Sequence, residues 1–193
     1  MKNLILLFLP LLAAFCANDG KQPAATAENT PVAASGTNDN TRHPDNNIIA
    51  YSPLEVVMRA RELEAKQGAQ VCVPVTVANF KDIIAMQYTM QWDPKVLTFQ
   101  SVQGFKLPKL GINNYGANRT SEGLLTFLWL EEMLKGVSLD DGASIFEVCF
   151  IAKGQTGQSS TFKFTDKPTA IEVINARDQV LNMKKVAGKV AIK

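Results

Sequence analysis

The chain has 193 residues, of which 46% are hydrophobic, and a formal net charge of +2. This length and composition can bury one ordinary core, so a single folded domain is expected. The charge is too small, and the lysines and arginines are too scattered, to form a surface for nucleic acid or an acidic partner.

The first sixteen residues have the pattern of a bacterial export signal. A positive start at Lys2 is followed by an apolar run over residues 4–15, which is too short to span a membrane. The run ends in Ala13-Ala14-Phe15-Cys16, which resembles the lipobox of bacterial lipoproteins, whose cysteine is lipidated. We therefore predict an exported lipoprotein, anchored in the bacterial membrane through Cys16 and facing the cell surface. The alternative is cleavage by an ordinary signal peptidase near Ala14 or Cys16, which would leave a secreted protein.

Residues 17–47 are mostly small and polar, and Val32 is their only large apolar residue. Such a segment cannot bury enough surface to offset its ordering entropy, so we predict a disordered tether. The single histidine of the chain, His43, lies in this tether. The predicted folded body, residues 48–193, therefore has no imidazole for a Ser-His-Asp or Cys-His arrangement or for histidine-ligated zinc. It also has no Cys-x-x-Cys pair and no glycine-rich phosphate loop, so we predict no enzyme, no cofactor and no metal.

The body begins with an ambiguous stretch and continues with alternating runs. Residues 54–66 are good helix formers and, taken alone, predict a helix. Residues 70–77 alternate valines with Cys72, Pro74 and Thr76, which is typical of a half-buried strand. Residues 145–150 alternate in the same way around Cys149. A mid-strand cysteine on the face opposite the large apolar residues suggests that these two strands are neighbours.

Further short apolar runs follow, with turn signals between them. They cover residues 84–92, 96–102, 124–130, 160–164, 170–174 and 187–192. Short strands at this spacing predict an all-β, antiparallel β-sandwich of about nine strands.

Several of these pieces stand in an order that resembles a cohesin module. They are the Val73-Pro74-Val75 strand, the Trp92-Asp93-Pro94 turn, and the strands at 123–129, 146–150 and 188–192. The resemblance covers about residue 56 to residue 193. It implies a jelly-roll β-sandwich of the group that includes carbohydrate-binding modules, and it implies that residues 55–64 form a strand despite their helix propensity.

The resemblance also implies a disulfide. In cohesins the strands that match those of Cys72 and Cys149 lie side by side in one sheet. Because an exported protein folds in an oxidising compartment, we predict a Cys72–Cys149 bond. The alternative is two free, buried cysteines that act as small apolar residues.

One loop and two tryptophans are candidates for a ligand site. Tryptophans of carbohydrate-binding sandwiches stack on sugar rings, although Trp92 and Trp129 alternate with apolar residues and also fit a core. An aromatic ring among amide and guanidinium groups suits the recognition of hydroxyl groups, but loops of this composition are also simply loops. The candidate ligand-binding residues are Tyr115, Asn113, Asn114, Asn118, Arg119 and Trp129.

Carboxylates on one connector are the other candidate for chemistry. Glu131, Glu132, Asp140 and Asp141 could serve glycoside hydrolysis or calcium binding, but there is no calcium-loop spacing, so a solvated acidic turn is the interpretation adopted.

Cohesins bind dockerin modules through a sheet face, and this implies a partner type for the chain. In the family, this face includes an Asn and an Asp on the strand before the aromatic-Asp-Pro turn. The matching positions here are Ala85 and Gln87, which removes a charged group.

The sequence as a whole predicts a non-catalytic binding module that is exported or held at the cell surface. The expected partner is a dockerin-like protein or a polysaccharide, and the expected role is adhesion, scaffolding or a link to polysaccharide degradation. The alternative is a structural spacer without a small ligand. An exposed apolar or aromatic patch on one sheet face would favour binding.

Overall fold

A computed structural model describes residues 54–193 of the chain as strands joined by turns and two short 3-10 helices. The predicted signal segment 1–16, the lipidation site Cys16 and the predicted tether 17–47 lie outside the described residues. In chain order the strands are β1 (Glu55–Ala60), β2 (Leu63–Ala65), β3 (Gln70–Ala78), β4 (Phe80–Gln91), β5 (Leu97–Gln103), β6 (Tyr115–Gly116), β7 (Leu124–Leu130), β8 (Val137–Leu139), β9 (Ser144–Ala152), β10 (Ser159–Thr165), β11 (Glu172–Asn175), β12 (Asn182–Val186) and β13 (Gly188–Ile192).

The strands form two sheets. The first sheet has the order β12-β1-β3-β9-β5, and the second has the order β2-β13-β10-β4-β7-β6, with β8 and β11 also paired to β4. The predicted β-sandwich is confirmed, and its ladders are antiparallel except at β1–β12 and β2–β13. The predicted count of about nine strands was too low, because strands of two or three residues such as β2, β6 and β8 are too short to show alternation.

The ambiguous stretch after Leu54 is extended, as the family resemblance implied. In β1, Val56, Met58 and Ala60 are buried in the core, while Arg59 is exposed. The strand pairs with β3 on one side and β12 on the other. Pairing on both edges and burial of alternate side chains outweigh the helix propensity of these residues, because propensity is a weak preference beside tertiary contacts.

The core lies between the two sheets and is rich in aromatic rings. Trp92 packs edge-on against Phe150, with 5.0 Å between ring centroids, and stacks near Phe162 at 6.4 Å. Its indole N–H donates to the carbonyl oxygen of Leu97 at 3.0 Å, so its one polar atom is satisfied inside the core. Trp92 is therefore a core residue rather than a sugar platform.

The predicted disulfide is confirmed. Cys72 and Cys149 stand directly opposite each other on β3 and β9, with 3.9 Å between their Cα atoms and a sulfur–sulfur bond. The bond lies on the outer face of the first sheet, since the valines of β3 fill the inner face. The side-chain amides of Gln70 and Gln103 lie beside the Cys72 sulfur.

No helix within residues 54–193 has the length and apolar character needed to cross a membrane.

Candidate binding face

Strand β4 is the longest of the domain and divides its side chains between the core and the outer face of the second sheet. Met86, Tyr88 and Met90 point inward and are buried, as the alternation of residues 84–92 predicted. Ala85 and Gln87, which alternate with them, face outward and are half-buried. These two outward residues are the positions that the sequence resemblance matched to dockerin contacts of cohesins, and that match stays a prediction.

The register of the strands places four aliphatic residues in one line across this outer face. An isolated bridge pairs Val180 with Ile174, Ile174 stands opposite Ala85, and Ala85 stands opposite Leu130. Directly paired residues project to the same side of a sheet. Val180 is 64% exposed and Leu130 is 51% exposed. We call Val180, Ile174, Ala85 and Leu130 the apolar row. Three strand spacings separate its two ends, so the row is about 15 Å long.

A second line runs beside the apolar row. Glu172 stands opposite Gln87, and Gln87 stands opposite Leu128, which is 55% exposed. The only ion pairs within residues 54–193 are Arg119–Glu122 and Lys193–Glu64, so the Glu172 carboxylate has no cationic partner there. This line therefore presents one unpaired negative charge beside an aliphatic surface.

Between the two lines lies a shallow pocket with a volume of about 160 Å³. It is lined by residues of β4, β7 and β11, with Trp129 at its floor. The prediction that Trp129 stacks on a ligand was wrong, because the side chain points inward and is buried. Its indole N–H donates to the carbonyl oxygen of Pro108 at 2.8 Å, which fixes the ring below the face.

The turn after β7 carries two further exposed apolar side chains. Met133 and Leu134 are exposed there. The Glu131 carboxylate accepts hydrogen bonds from the backbone N–H of Met133 at 3.1 Å and of Lys135 at 2.7 Å, so it holds the turn in shape.

The acidic connector assembles no metal site within the described part of the chain. No group of three or more acidic, cysteine or histidine side chains there could hold a metal ion. Glu132, Asp140 and Asp141 are exposed, and the Asp141 carboxylate accepts from the backbone N–H of Asn79 at 2.8 Å. This agrees with a solvated acidic turn.

The expectation that Tyr115 is an exposed platform was wrong. Its side chain is 8% exposed, and its ring centroid lies 5.1 Å from that of Phe127 and 5.3 Å from that of Phe146. Burial raises the pKa of the Tyr115 hydroxyl well above its ordinary value of 10.0. The residue begins β6, whose pairing with β7 turns the ring inward.

The polar residues around Tyr115 do not surround an accessible ring. The Asn114 side chain accepts from the Gly111 N–H at 2.9 Å and donates to the Leu128 carbonyl at 2.8 Å, so it joins the loop to β7. Arg119 is exposed and pairs with Glu122. Asn113 and Asn118 are also exposed, and a ligand role for them and Arg119 remains a prediction.

The sequence interpretation missed the outward residues of the candidate face. Alternation alone could have found Leu128 and Leu130, since they alternate with the buried Phe127 and Trp129 along β7. Alternation could not have placed Ile174 and Val180 in line with these two leucines. The residues that stand opposite Ile174 and Val180 are set by the register of β11 against its partners.

The fold and this face define an antiparallel β-sandwich with an open, partly aliphatic sheet surface. The family model for the cohesin domain matches residues 56–191. The chain belongs to the cohesin family, and the resemblance seen in the sequence is confirmed.

Solved structures of cohesins have the same fold. The sixth cohesin of scaffoldin B from Acetivibrio cellulolyticus, solved with a Cel5 dockerin, is 19% identical with a TM-score of 0.62, covering 72% of this chain and 99% of that one. A type I cohesin–dockerin complex from Clostridium thermocellum gives 18% identity, a TM-score of 0.61 and coverage of 72% and 99%. A non-cellulosomal cohesin from Archaeoglobus fulgidus gives 20%, 0.57, and coverage of 72% and 91%. The predicted jelly-roll sandwich is thus confirmed. A search of curated proteins finds no match.

Proposed function

We propose that the chain is a non-catalytic module that binds a dockerin-like protein through the outer face of β4, β7 and β11. The observation that carries the proposal is the exposure of Leu130 in the apolar row and of Leu128 beside it, on the outer face of the second sheet. Exposed aliphatic patches on monomeric domains typically mark interaction sites. The patch favours binding over the alternative of a spacer with uniformly polar faces.

The positions taken over from the family support the same face. Ala85 and Gln87 lie at its centre, one in the apolar row and one beside Glu172. Neither Ala85 nor Gln87 carries a charge. Contacts of a partner with these positions would therefore be aliphatic packing around the Gln87 amide. A partner that fits would bring an apolar ridge rather than a cluster of cations.

The polysaccharide alternative receives no support from the aromatic residues. Sugar stacking needs an accessible ring, and no aromatic residue is among the large hydrophobic side chains exposed within residues 54–193. We therefore include insoluble polysaccharides as the second arm of the binding test and do not propose polysaccharide binding as a second function.

The test is capture of the chain on immobilised dockerins and on insoluble polysaccharides. Leu128→Asp and Leu130→Asp each place a charge in the proposed interface, and we expect retention on a dockerin to fall more than tenfold. Thr98→Asp places the same charge on an exposed position of β5 in the first sheet and should leave retention unchanged. Failure of every dockerin to retain the wild type, or equal retention of all variants, would refute the proposal.

We also propose that the module acts outside the cell, held at a bacterial surface through lipidated Cys16 with residues 17–47 as its tether. In that setting the module would serve adhesion or scaffolding, including the assembly of polysaccharide-degrading proteins. Incorporation of labelled palmitate into the wild type, lost in Cys16→Ser, is the expected result. Equal labelling of the two proteins would contradict the anchor.

A further inference from the structure

One sequence pattern in the loop between β6 and β7 has no role in the proposed binding face. Asn118-Arg119-Thr120 is the only place in the chain where an asparagine is followed two positions later by serine or threonine. In exported proteins this pattern, with a residue other than proline in the middle, is the acceptor for N-linked glycosylation. Because a pattern of three residues also arises by chance, its surroundings in the fold decide whether it can act as a site.

The turn that holds the pattern places Asn118 at the surface. The backbone N–H of Thr120 donates to the carbonyl oxygen of Ala117 at 3.3 Å, and the Thr120 hydroxyl donates to the same oxygen at 3.0 Å. These two bonds close a turn in which Asn118 and Arg119 are the middle residues, and both are exposed. The acceptor thus lies at the tip of a surface turn, where a transferase can approach it without unfolding a sheet.

The side chain of Asn118 takes no part in holding the fold. Its amide group has no hydrogen-bond partner within residues 54–193. Asn114, earlier in the same loop, instead donates from its side-chain amide to the carbonyl oxygen of Leu128 at 2.8 Å. The nitrogen that would receive a glycan is therefore available in Asn118, whereas that of Asn114 joins the loop to β7.

The loop lies at the end of β7 that is remote from the exposed leucines. The backbone N–H of Leu124, the first residue of β7, donates to the carbonyl oxygen of Arg119 at 3.2 Å. Leu128 and Leu130 follow on the same strand, about 13 Å and about 20 Å from Leu124 at the usual rise per residue. A glycan on Asn118 would therefore leave the proposed binding face accessible.

We propose that Asn118 is an N-glycosylation site of the exported chain. In the transfer, Nδ2 of Asn118 forms a bond with the anomeric carbon of a lipid-linked glycan. The bond between that carbon and an oxygen of the lipid diphosphate breaks, the diphosphate leaves with the electron pair, and Nδ2 loses one proton to a base of the transferase. The Thr120 hydroxyl is the group that the transferase recognises beside the acceptor. Because the modification requires export, it rests on the export proposed above.

Peptide mass spectrometry of the full chain, purified from the cells that make it, tests the site. Fragmentation that keeps the glycan on its residue distinguishes Asn118 from the other asparagines of the loop. Asn118→Gln removes the acceptor and Thr120→Ala removes the hydroxyl, whereas Thr120→Ser keeps it. Asn113→Gln is the matched control, because Asn113 is an exposed asparagine of the same loop but has Tyr115 two positions later.

The glycan should be present on Asn118 in the wild type, in Thr120→Ser and in Asn113→Gln, and it should be lost in the other two variants. A glycan that persists in Thr120→Ala would overturn the assignment. The same digest reports export through cleavage of the chain near Cys16. A bare Asn118 in the cleaved chain would overturn the glycosylation and leave the export standing, whereas a bare Asn118 in an uncleaved chain would overturn both.

Discussion

Two buried tyrosine hydroxyls give a sharp test of how the core is packed. The hydroxyls of Tyr88 and Tyr115 have no hydrogen-bond partner within the described residues. The Tyr88 side chain is 0% exposed, and its ring packs against Phe127 and Phe164 with centroid distances of 4.8 and 5.5 Å. A buried hydroxyl without a partner costs about 1–3 kcal/mol. Phenylalanine keeps the ring and removes the cost.

Tyr88→Phe should therefore raise the free energy of unfolding by about 1–2 kcal/mol. For a domain of this size the melting temperature should rise by about 3 °C for each kcal/mol. Urea unfolding followed by tryptophan fluorescence measures the change. Trp92→Phe is the contrasting control, because it removes an indole N–H that is satisfied by Leu97 and should destabilise the fold. A loss of more than about 1 kcal/mol in Tyr88→Phe would refute the reasoning, since the hydroxyl would then have a partner.

The same tyrosines give a pH dependence with a definite sign. Burial raises the pKa of both hydroxyls above the ordinary value of 10.0, and the charge of Tyr88 raises that of Tyr115 further. Above pH 10.0 the unfolded chain loses these protons while the folded chain keeps them. The contribution of the two tyrosines to the free energy of unfolding is therefore constant below this pH and should fall by about 1.4 kcal/mol per pH unit for each tyrosine above it. Tyr88→Phe should halve that slope, and an unchanged slope would contradict the assignment.

Three further predictions concern the frame and the face. The disulfide between Cys72 and Cys149 closes a separation of 77 residues, so the double serine variant should lose about 4.5 kcal/mol of unfolding free energy in the chain-entropy model. Equal urea midpoints with and without reductant would contradict this. Gly123→Ala should cost about 2 kcal/mol or more, because its φ is 76° and a Cβ would overlap the backbone just after β4. Gly142→Ala has a similar φ of 86° but open space, so it should cost about 1 kcal/mol; the reverse order in thermal melts would refute the packing argument. Leu128→Ser should leave stability within about 0.5 kcal/mol, since the side chain is exposed, and a larger loss in urea unfolding would show that it supports the fold.

Most of the fold could be predicted from the sequence because its long strands alternate regularly. The valines of β3 and the outward and inward residues of β4 and β9 lie on the faces that alternation assigns to them. Alternation alone suggested that the strands of Cys72 and Cys149 are neighbours, and the family resemblance implied that these cysteines pair. At residues 55–64 local propensity favoured a helix, and only the resemblance implied a strand. The structure is extended there but has two strands, β1 and β2, rather than one.

The candidate site could not be predicted because its geometry depends on register between distant segments. Tyr115 stands in a loop without alternation, and its inward direction follows from a two-residue pairing with β7. The apolar row joins residues separated by as many as 95 positions in sequence, Ala85 and Val180, through pairings that leave no local signal. Composition selected Asn113 and Arg119 as candidate ligand-binding residues, and this stays a prediction, because polar loops and ligand loops share the same residue types.

The disulfide and the proposed binding face lie on different sheets of the domain. The disulfide cross-links β3 and β9 in the first sheet, while the apolar row lies on the outer face of the second, so the core separates them. Reduction therefore removes a restraint on the unfolded chain without touching a residue of the face. Its effect on partner binding should follow the fraction of folded protein alone, because the aliphatic residues keep their register as long as β4, β7 and β11 remain paired.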